Sequence, residues 1–249
     1  MINSVLQVTR PQPEIALLKI EDRDAKNCFT DRLMQGLVDT FGQISKDTSV
    51  HAVVMTGYDS YFCSGASKEI LMRLQTGGTD FSEGGLYNLP LDCEVPVIAA
   101  MQGHAIGGGL VFGLFSDVVV LSRESVYTAN FMKYGFTPGM GATLVLPEKL
   151  GTALGNEMLI SARTYRGQEL ADRGIPFQVL PRADVLDHAM GLARDLARIP
   201  RASLSLLKAH LNRALRAKMS DTIERELAMH EATLGNEDVR ARIARLFDC

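Results

Sequence analysis

The sequence predicts an α/β protein whose last third is helical. Two observations lead to this prediction: strand-like segments alternate with helical segments up to about residue 145, and the periodic segments after that point are helical in pattern. Strands that alternate with helices indicate βα crossovers and a largely parallel sheet. A chain of 249 residues suffices for one large domain or for a domain with a small appendage.

Four apolar segments have the character of strands. "EIALLKIED" and "VHAVVMTG" come first, and "VPVIAAMQG" and "DVVVLSRES" follow. The last two are apolar at nearly every position, which is typical of strands covered on both faces. Between the first two strands, Thr30 is a predicted N-cap of a helix. One face of this helix is apolar, and it carries Leu33, Leu37, Val38, Phe41 and Ile44.

The segment "GLVFGLFS" is short and apolar, and it predicts a buried helix after the glycines at 107–109. Beyond about residue 145, five segments have helical periodicity: "GTALGNEMLISA", "YRGQELADRG", "DVLDHAMGLARDLARI", "ASLSLLKAHLNRALRA" and "DTIERELAMHEATLG". Residues 75–92, "QTGGTDFSEGGLYNLPLD", are rich in Gly, Ser and Thr. They predict a mobile loop beside a site.

Composition and charge argue against several classes of function. A net charge of −3 gives no general attraction to nucleic acid or to anionic membranes. No window approaches the roughly 20 apolar residues of a membrane span. "MINSVLQVTRPQPE" lacks the basic-then-apolar layout of a signal peptide, so we expect a cytoplasmic protein. Cys28, Cys63, Cys93 and Cys249 have no paired spacing, which predicts free thiols and no metal site.

Two glycine turns each join a strand to a helix. "YFCSGASKEIL" places Gly65 and Ala66 before a helix that starts at Lys68, and "GHAIGGGL" repeats the arrangement after the third strand. N–H groups at helix N-termini are unpaired, so two such termini that face each other would bind an oxygen that gains negative charge. Tight packing of strand on helix also uses glycine, and the spacing alone leaves both interpretations open. The phosphate-binding patterns GxxxxGK[ST] and GxGxxG are absent.

These turns resemble those of the crotonase (enoyl-CoA hydratase/isomerase) superfamily. "YFCSGAS" resembles its first oxyanion-hole loop, "VPVIAAMQGHAIGGG" its second, and "YGFTPGMGAT" its later GxxPGxGGT segment. The resemblance implies a ββα spiral core at residues 1–195. It also implies a helical region at 196–249 that covers the active site and forms a homotrimer or a dimer of trimers. The implied substrate is a thioester whose carbonyl oxygen receives two backbone N–H groups, here those of Ala66 and Gly108.

Two positions depart from the pattern of the hydratases in this superfamily. Hydratases use two glutamates to handle a water molecule, and the corresponding positions here hold Val111 and Phe131. Neither side chain can exchange a proton. The remaining chemistry needs an enolate but little proton handling, which favours decarboxylation. Two apolar side chains also avoid the repulsion that two glutamates would exert on a substrate carboxylate.

Longer segments resemble a narrower group, the decarboxylating enoyl-CoA-hydratase-like proteins of polyketide β-branching cassettes. The segments are "TGYDSYFCSG", "LDCEVPVIAAMQGHAIGGG" and "LSRESVYTANFMKYGFTPGMGAT". The resemblance implies a 3-methylglutaconyl group on the phosphopantetheine of an acyl carrier protein or on CoA, a 3-methylcrotonyl-type product, and no further cofactor. An enoyl thioester isomerase and a non-catalytic protein that binds a carrier protein stay open as alternatives.

The decarboxylation needs a donor that protonates the dienolate on carbon. His230, in "RELAMHEATL", is predicted to share an inward helical face with Leu227 and Leu234. The resemblance implies a functional histidine in this segment, so His230 is the predicted acid. His104, within the second oxyanion loop, is the alternative.

Further side chains are candidates for substrate binding. Tyr87 could donate a hydrogen bond to the carboxylate, or it could anchor the 75–92 loop on the core. Lys68 could meet a phosphate of the carrier arm, or it could be a solvated helix residue. Lys133, two residues before Gly135, could orient a carboxylate.

Overall fold

This computed structural model describes residues 5–75 and 86–246. The strands of these residues, in chain order, are β1 (Leu6–Gln12), β2 (Ile15–Ile20), β3 (Cys28–Phe29), β4 (Ala52–Thr56), β5 (Tyr61–Cys63), β6 (Gly65–Ala66), β7 (Val97–Met101), β8 (His104–Ile106), β9 (Val118–Ser122), β10 (Val126–Thr128), β11 (Thr164–Arg166) and β12 (Gln178–Leu180).

The α-helices of the same residues are α1 (Asp31–Lys46), α2 (Lys68–Gln75), α3 (Leu89–Asp92), α4 (Gly108–Leu114), α5 (Ala142–Leu150), α6 (Thr152–Ser161), α7 (Gly167–Asp172), α8 (Arg182–Ala197), α9 (Arg201–Leu211), α10 (Arg213–Thr233) and α11 (Glu237–Leu246). Two 3-10 helices add to them, at Leu86–Asn88 and Asn130–Tyr134.

The strands form two main sheets that repeat one local pattern. The larger sheet has the order β1-β2-β4-β7-β9-β12, and the smaller has the order β11-β10-β8-β5. Three times in succession, one strand joins the larger sheet, the next joins the smaller sheet, and a helix follows: β4, β5 and α2, then β7, β8 and α4, then β9, β10 and α5. From β2 to β12 the larger sheet is parallel. The predicted α/β class and ββα repeat are confirmed.

The elements that were predicted from apolar periodicity lie in the core. Every residue of β4 and β7 is buried, as expected for strands covered on both faces. Thr30 caps α1 and accepts a hydrogen bond from the Leu33 N–H at 3.2 Å. All seven residues of α4 are buried, because this helix packs against α5 and against strands of both main sheets.

The sequence did not predict β1, β12 and α11. Only the first residue of β1 is buried, and the strand contains Pro11, as is tolerated at the edge of a sheet. An edge strand of this kind lacks the apolar alternation that identifies a half-buried strand.

The predicted helix "ASLSLLKAHLNRALRA" is divided between α9 and α10 at Asn212. The Asn212 side chain donates to Asp117 Oδ1 at 2.9 Å.

The boundary expected between residues 195 and 196 stays a prediction. This boundary falls in the last turn of α8, whose Val185, Ala189 and Ala193 pack on the larger sheet. After it, α11 packs against α2 and against the 3-10 helix Asn130–Tyr134. The C-terminal part thereby reaches the glycine turns.

The predicted mobile loop at 75–92 falls largely on residues 76–85, which lie outside the described residues. Its last part is the 3-10 helix Leu86–Asn88 and α3. Across the described ranges, none of the helices has both the length and the apolar composition needed to cross a membrane.

Candidate active site

The two glycine turns meet at one cavity of about 360 Å³. Residues 64–66, which follow β5, and residues 106–108, which lead into α4, line part of it. The segment after β10 and His230 of α10 line another part of it. Five of the residues that the sequence singled out therefore share this cavity: Ala66, Gly108, Phe131, Lys133 and His230.

Gly65 brings the two turns into contact. Its φ is +80°, a conformation that L side chains rarely adopt. A Cβ atom here would also lie 2.6 Å from the Ile106 carbonyl oxygen and 3.1 Å from the Gly108 nitrogen. The absence of a side chain therefore lets the backbone next to Ala66 reach the N-terminus of α4.

The second turn exposes a helix N-terminus to the cavity. Gly107 has a φ of +54°, and its N–H donates to the Thr128 carbonyl oxygen at 2.8 Å. A Cβ atom on Gly109 would lie 2.2 Å from the Cys63 carbonyl oxygen, so α4 packs directly on β5. Gly108 is the first residue of α4, and its N–H has no acceptor within the helix. Such an N–H group is suited to an oxygen that gains negative charge.

His230 reaches the cavity from α10. Its Nε2 lies 2.7 Å from the Thr137 carbonyl oxygen, which can only accept a hydrogen bond. Nε2 therefore carries a proton, and this contact assigns the tautomer of the neutral ring. A proton would be gained or lost at Nδ1. The ring also packs edge-on against Phe136, with 6.1 Å between the ring centroids.

Val111 and Tyr87 lie outside the described lining of the cavity. Val111 has no exposed surface and belongs to the core around α4. Tyr87 is also buried, and its ring lies 6.4 Å from that of Phe115. This packing matches the anchoring role of Tyr87 that the sequence left open.

Lys68 and His104 are likewise outside this lining. Lys68 Nζ donates to the Ala244 carbonyl oxygen at 3.1 Å, which joins α2 to α11. His104 Nδ1 accepts the Val126 N–H at 3.1 Å. Burial lowers the pKa of His104, and the charges of Arg182 and Arg166 lower it further. His104 is therefore a neutral acceptor between β8 and β10.

The cavity includes polar residues that the sequence analysis missed. Asn130 follows β10, and its Nδ2 lies 3.5 Å from the Tyr134 hydroxyl. A Cβ atom on Gly107 would come within 2.9 Å of Asn130 Oδ1, so this side chain lies against the second turn. Lys26 joins the lining near the first turn, where the Ser64 hydroxyl donates to its carbonyl oxygen at 2.7 Å. For Asn130, its position just after the end of β10 was the available signal.

The described lining contains no aspartate, glutamate or cysteine. Within the ranges 5–75 and 86–246, no three His, Cys, Asp or Glu side chains are grouped as metal ligands. Cys28, Cys63 and Cys93 are buried and form no disulfide, and burial raises the pKa of Cys63 to about 12. The site offers backbone N–H groups, one imidazole, Lys26, Lys133 and an apolar wall.

Such a fold and site define a crotonase-type enzyme. The sequence profile of the enoyl-CoA hydratase/isomerase family matches residues 10–246, and the chain belongs to this family. It is a decarboxylase of the family, as the following similarities indicate. The bacillaene synthase decarboxylase PksI of Bacillus subtilis is 53% identical over 247 residues, which cover 99% of each chain.

Two solved structures are similar over nearly their whole lengths. One is from a study of a dehydratase/decarboxylase enzyme couple involved in polyketide β-branching. It has a TM-score of 0.97 and 54% identity, over 99% of this chain and 100% of the other. The second is the ECH2 decarboxylase domain of CurF from Lyngbya majuscula. Its TM-score is 0.92 and its identity 44%, over 98% of this chain and 99% of the other.

Proposed function

We propose that this decarboxylase acts on a 3-methylglutaconyl thioester carried on the phosphopantetheine arm of an acyl carrier protein. The product is a 3-methylcrotonyl-type thioester. The observation that carries the proposal is that Ala66, Gly108 and His230 share one cavity whose described lining has no acidic side chain. The similarity to decarboxylases of polyketide β-branching supports the choice of substrate.

In the first step the bond between the substrate carbon chain and its carboxylate breaks. Carbon dioxide leaves, and the electron pair of this bond delocalises into the thioester as a dienolate. The N–H groups of Ala66 and Gly108 would hold the resulting negative charge on the thioester oxygen. The apolar side chains of Phe131 and Phe136 would remove water from the carboxylate before it leaves.

In the second step a proton is added to a carbon of the dienolate. We assign this proton to Nδ1 of protonated His230, because Nε2 is engaged by the Thr137 carbonyl oxygen. The ring then returns to its neutral form and regains a proton from solvent. No cofactor takes part, since the thioester itself accepts the electron pair.

The carrier protein and further copies of this chain are the proposed partners. A homotrimer or dimer of trimers would cover apolar side chains that α9 leaves exposed. These are Leu206, Leu207 and Leu211, with exposed fractions of 73%, 56% and 68%. Burial of such side chains between subunits would add to stability.

One assay tests the proposed function. The 3-methylglutaconyl thioester is loaded on the carrier protein, incubated with the enzyme and followed by mass spectrometry, with the CoA thioester in a parallel reaction. Loss of one carbon dioxide is expected. Gain of one water would indicate a hydratase, and a shifted double bond at constant mass would indicate an isomerase; either result contradicts the proposal. An unchanged substrate would favour a non-catalytic binding protein.

A further inference from the structure

Glu226 is a buried carboxylate that the proposed mechanism does not use. It lies on α10, one turn before His230, and only 2% of its surface is exposed. The Gly141 N–H donates to Oε2 at 2.7 Å, and the N–H and hydroxyl of Thr143 donate to Oε1 at 2.9 and 2.6 Å. A buried carboxylate is costly unless such donors replace its water. These contacts therefore hold α10 to the start of α5.

In this half of α10 the apolar packing includes Ile223, which is only partly buried against the core. Between Met219 and Leu234, Glu226 is the only side chain that is fully buried. Leu227, which the sequence placed on the inward face, is 39% exposed, and Glu226 takes the inward position instead. Burial raises the pKa of the Glu226 carboxyl, while its hydrogen bonds from Thr143 and Gly141 oppose this shift.

The segment that Glu226 binds also contacts the proposed reacting groups. The Thr137 carbonyl oxygen accepts the hydrogen bond of His230 at 2.7 Å. Met140 has a φ of +64°, and its Sδ would lie 2.6 Å from a Cβ atom on Gly108. Residues 137–143 thus touch both the imidazole and the second oxyanion turn.

We propose that Glu226 is a positioning residue that fixes the imidazole of His230 relative to the Gly108 N–H. Glu226 acts through Gly141 and Thr143, on the segment that both groups contact. This inference rests on the proposed function, which assigns the proton transfer to His230. Loss of the charge would weaken the attachment of α10, and a displacement of about 1 Å in a reacting group can cost about 100-fold in rate.

A double-mutant cycle tests the inference with Glu226→Gln, His230→Ala and the double variant. Glu226→Gln retains the size of the side chain but loses its charge. In steady-state assays kcat for decarboxylation of the carrier-bound thioester should fall by about 10- to 100-fold, with KM nearly unchanged. In the His230→Ala background the same substitution should cause no further loss. An equal loss in both backgrounds would overturn the positioning role.

The cycle separates the two proposals. A His230→Ala enzyme that retains the wild-type rate would overturn the proposed function itself. If His230→Ala is slow and Glu226→Gln is as fast as the wild type, only the role of Glu226 fails. Glu224→Gln is the matched control, because Glu224 is exposed on the same helix, and it should retain the wild-type rate.

A spectroscopic measurement distinguishes positioning from a general loss of structure. The chain has five histidines, so their Cε1–H signals can be assigned in protein labelled with ¹³C-histidine. The His230 signal should shift in Glu226→Gln and stay in place in Glu224→Gln. An unchanged His230 signal in folded Glu226→Gln would overturn the inference. Should Glu226→Gln not fold, Thr143→Val replaces it in the same cycle, and losses of equal size with and without His230 would again overturn it.

Discussion

His230 Nε2 donates a hydrogen bond to the carbonyl oxygen of Thr137, 2.7 Å away. The contact joins α10 to the segment that follows Phe136, and it leaves Nδ1 as the nitrogen that changes protonation. The sequence could name the histidine but could not assign the nitrogen, because the tautomer depends on a residue 93 positions away.

Removal of the imidazole should abolish most of the proton transfer. For His230→Ala we expect kcat to fall by about 100- to 10,000-fold with little change in KM, since general acids contribute about this much. Decarboxylation of the carrier-bound thioester provides the measurement. His210→Ala, an exposed histidine on α9, is the control and should retain the wild-type rate. Equal rates for the two variants would rule out His230 as the proton donor.

A carboxylate in the cavity wall should repel the substrate carboxylate. Phe131→Glu places one in the lining, and we expect KM at neutral pH to rise by about tenfold, which corresponds to about 1.4 kcal/mol. Phe131→Gln has the same size without the charge and isolates the electrostatic part. Below the pKa of the introduced glutamate the difference should disappear. If both variants have the same KM at neutral pH, the substrate carboxylate lies elsewhere.

Val111→Glu tests the stability of the core. The sequence had suggested that it would test repulsion of the substrate carboxylate, but Val111 lies outside the described lining of the cavity. We expect it to lower the midpoint of thermal unfolding, because Val111 is fully buried and a charge there lacks partners. Circular dichroism during heating measures this. Val111→Leu, which keeps the site apolar, should be much less destabilising. A Val111→Glu protein as stable as the wild type would show that this side chain has access to water.

A side chain at Gly65 should disturb the contact between the two glycine turns. For Gly65→Ala we expect a loss of about 1–3 kcal/mol in the free energy of unfolding, from the positive φ and the close Ile106 carbonyl oxygen, together with slower turnover. Urea titration measures the free energy. Gly42→Ala on α1 has open space around its Cβ atom and should stabilise the protein by about 0.5–1 kcal/mol. Equal effects of the two substitutions would contradict the proposed contact.

The lowered pKa of His104 should make stability depend on pH. The native protein keeps this imidazole neutral while the unfolded chain binds a proton near pH 6.5. Its contribution is therefore complete above that pH and is lost as pH falls toward the lowered native value. His104→Asn, whose side-chain oxygen can accept the Val126 N–H, should reduce this acid sensitivity without loss of decarboxylation at pH 7.5. Loss of activity in a folded His104→Asn protein would instead support His104 as the proton donor.

Polar substitutions on α9 should weaken the proposed subunit interface. We expect Leu207→Asp and Leu211→Asp to shift the protein toward monomers in light scattering coupled to size exclusion. Val8→Asp on the edge strand β1 is the control, since Val8 is also an exposed apolar side chain. A wild-type protein that is monomeric at working concentration would contradict the oligomer.

The class of fold and the two glycine turns could be predicted from local features of the sequence. Apolar runs identified β4, β7 and β9, because strands covered on both faces leave a strong local signal. The glycines of the two turns, and the absence of glutamate at positions 111 and 131, could also be read directly from short segments of the sequence. The resemblance of the quoted motifs then supplied Ala66, Gly108, Phe131 and His230, which share the cavity.

Contacts between side chains that are distant in the chain became visible in the folded protein. It buried Val111 in the core, joined Lys68 to the Ala244 carbonyl oxygen, and placed Glu226 rather than Leu227 against the start of α5. A local sequence pattern cannot predict such contacts, because they join residues that are distant in the chain. The inward face of α10 is set by the Glu226 carboxylate and its three hydrogen-bond donors, whereas apolar periodicity alone predicts the adjacent Leu227.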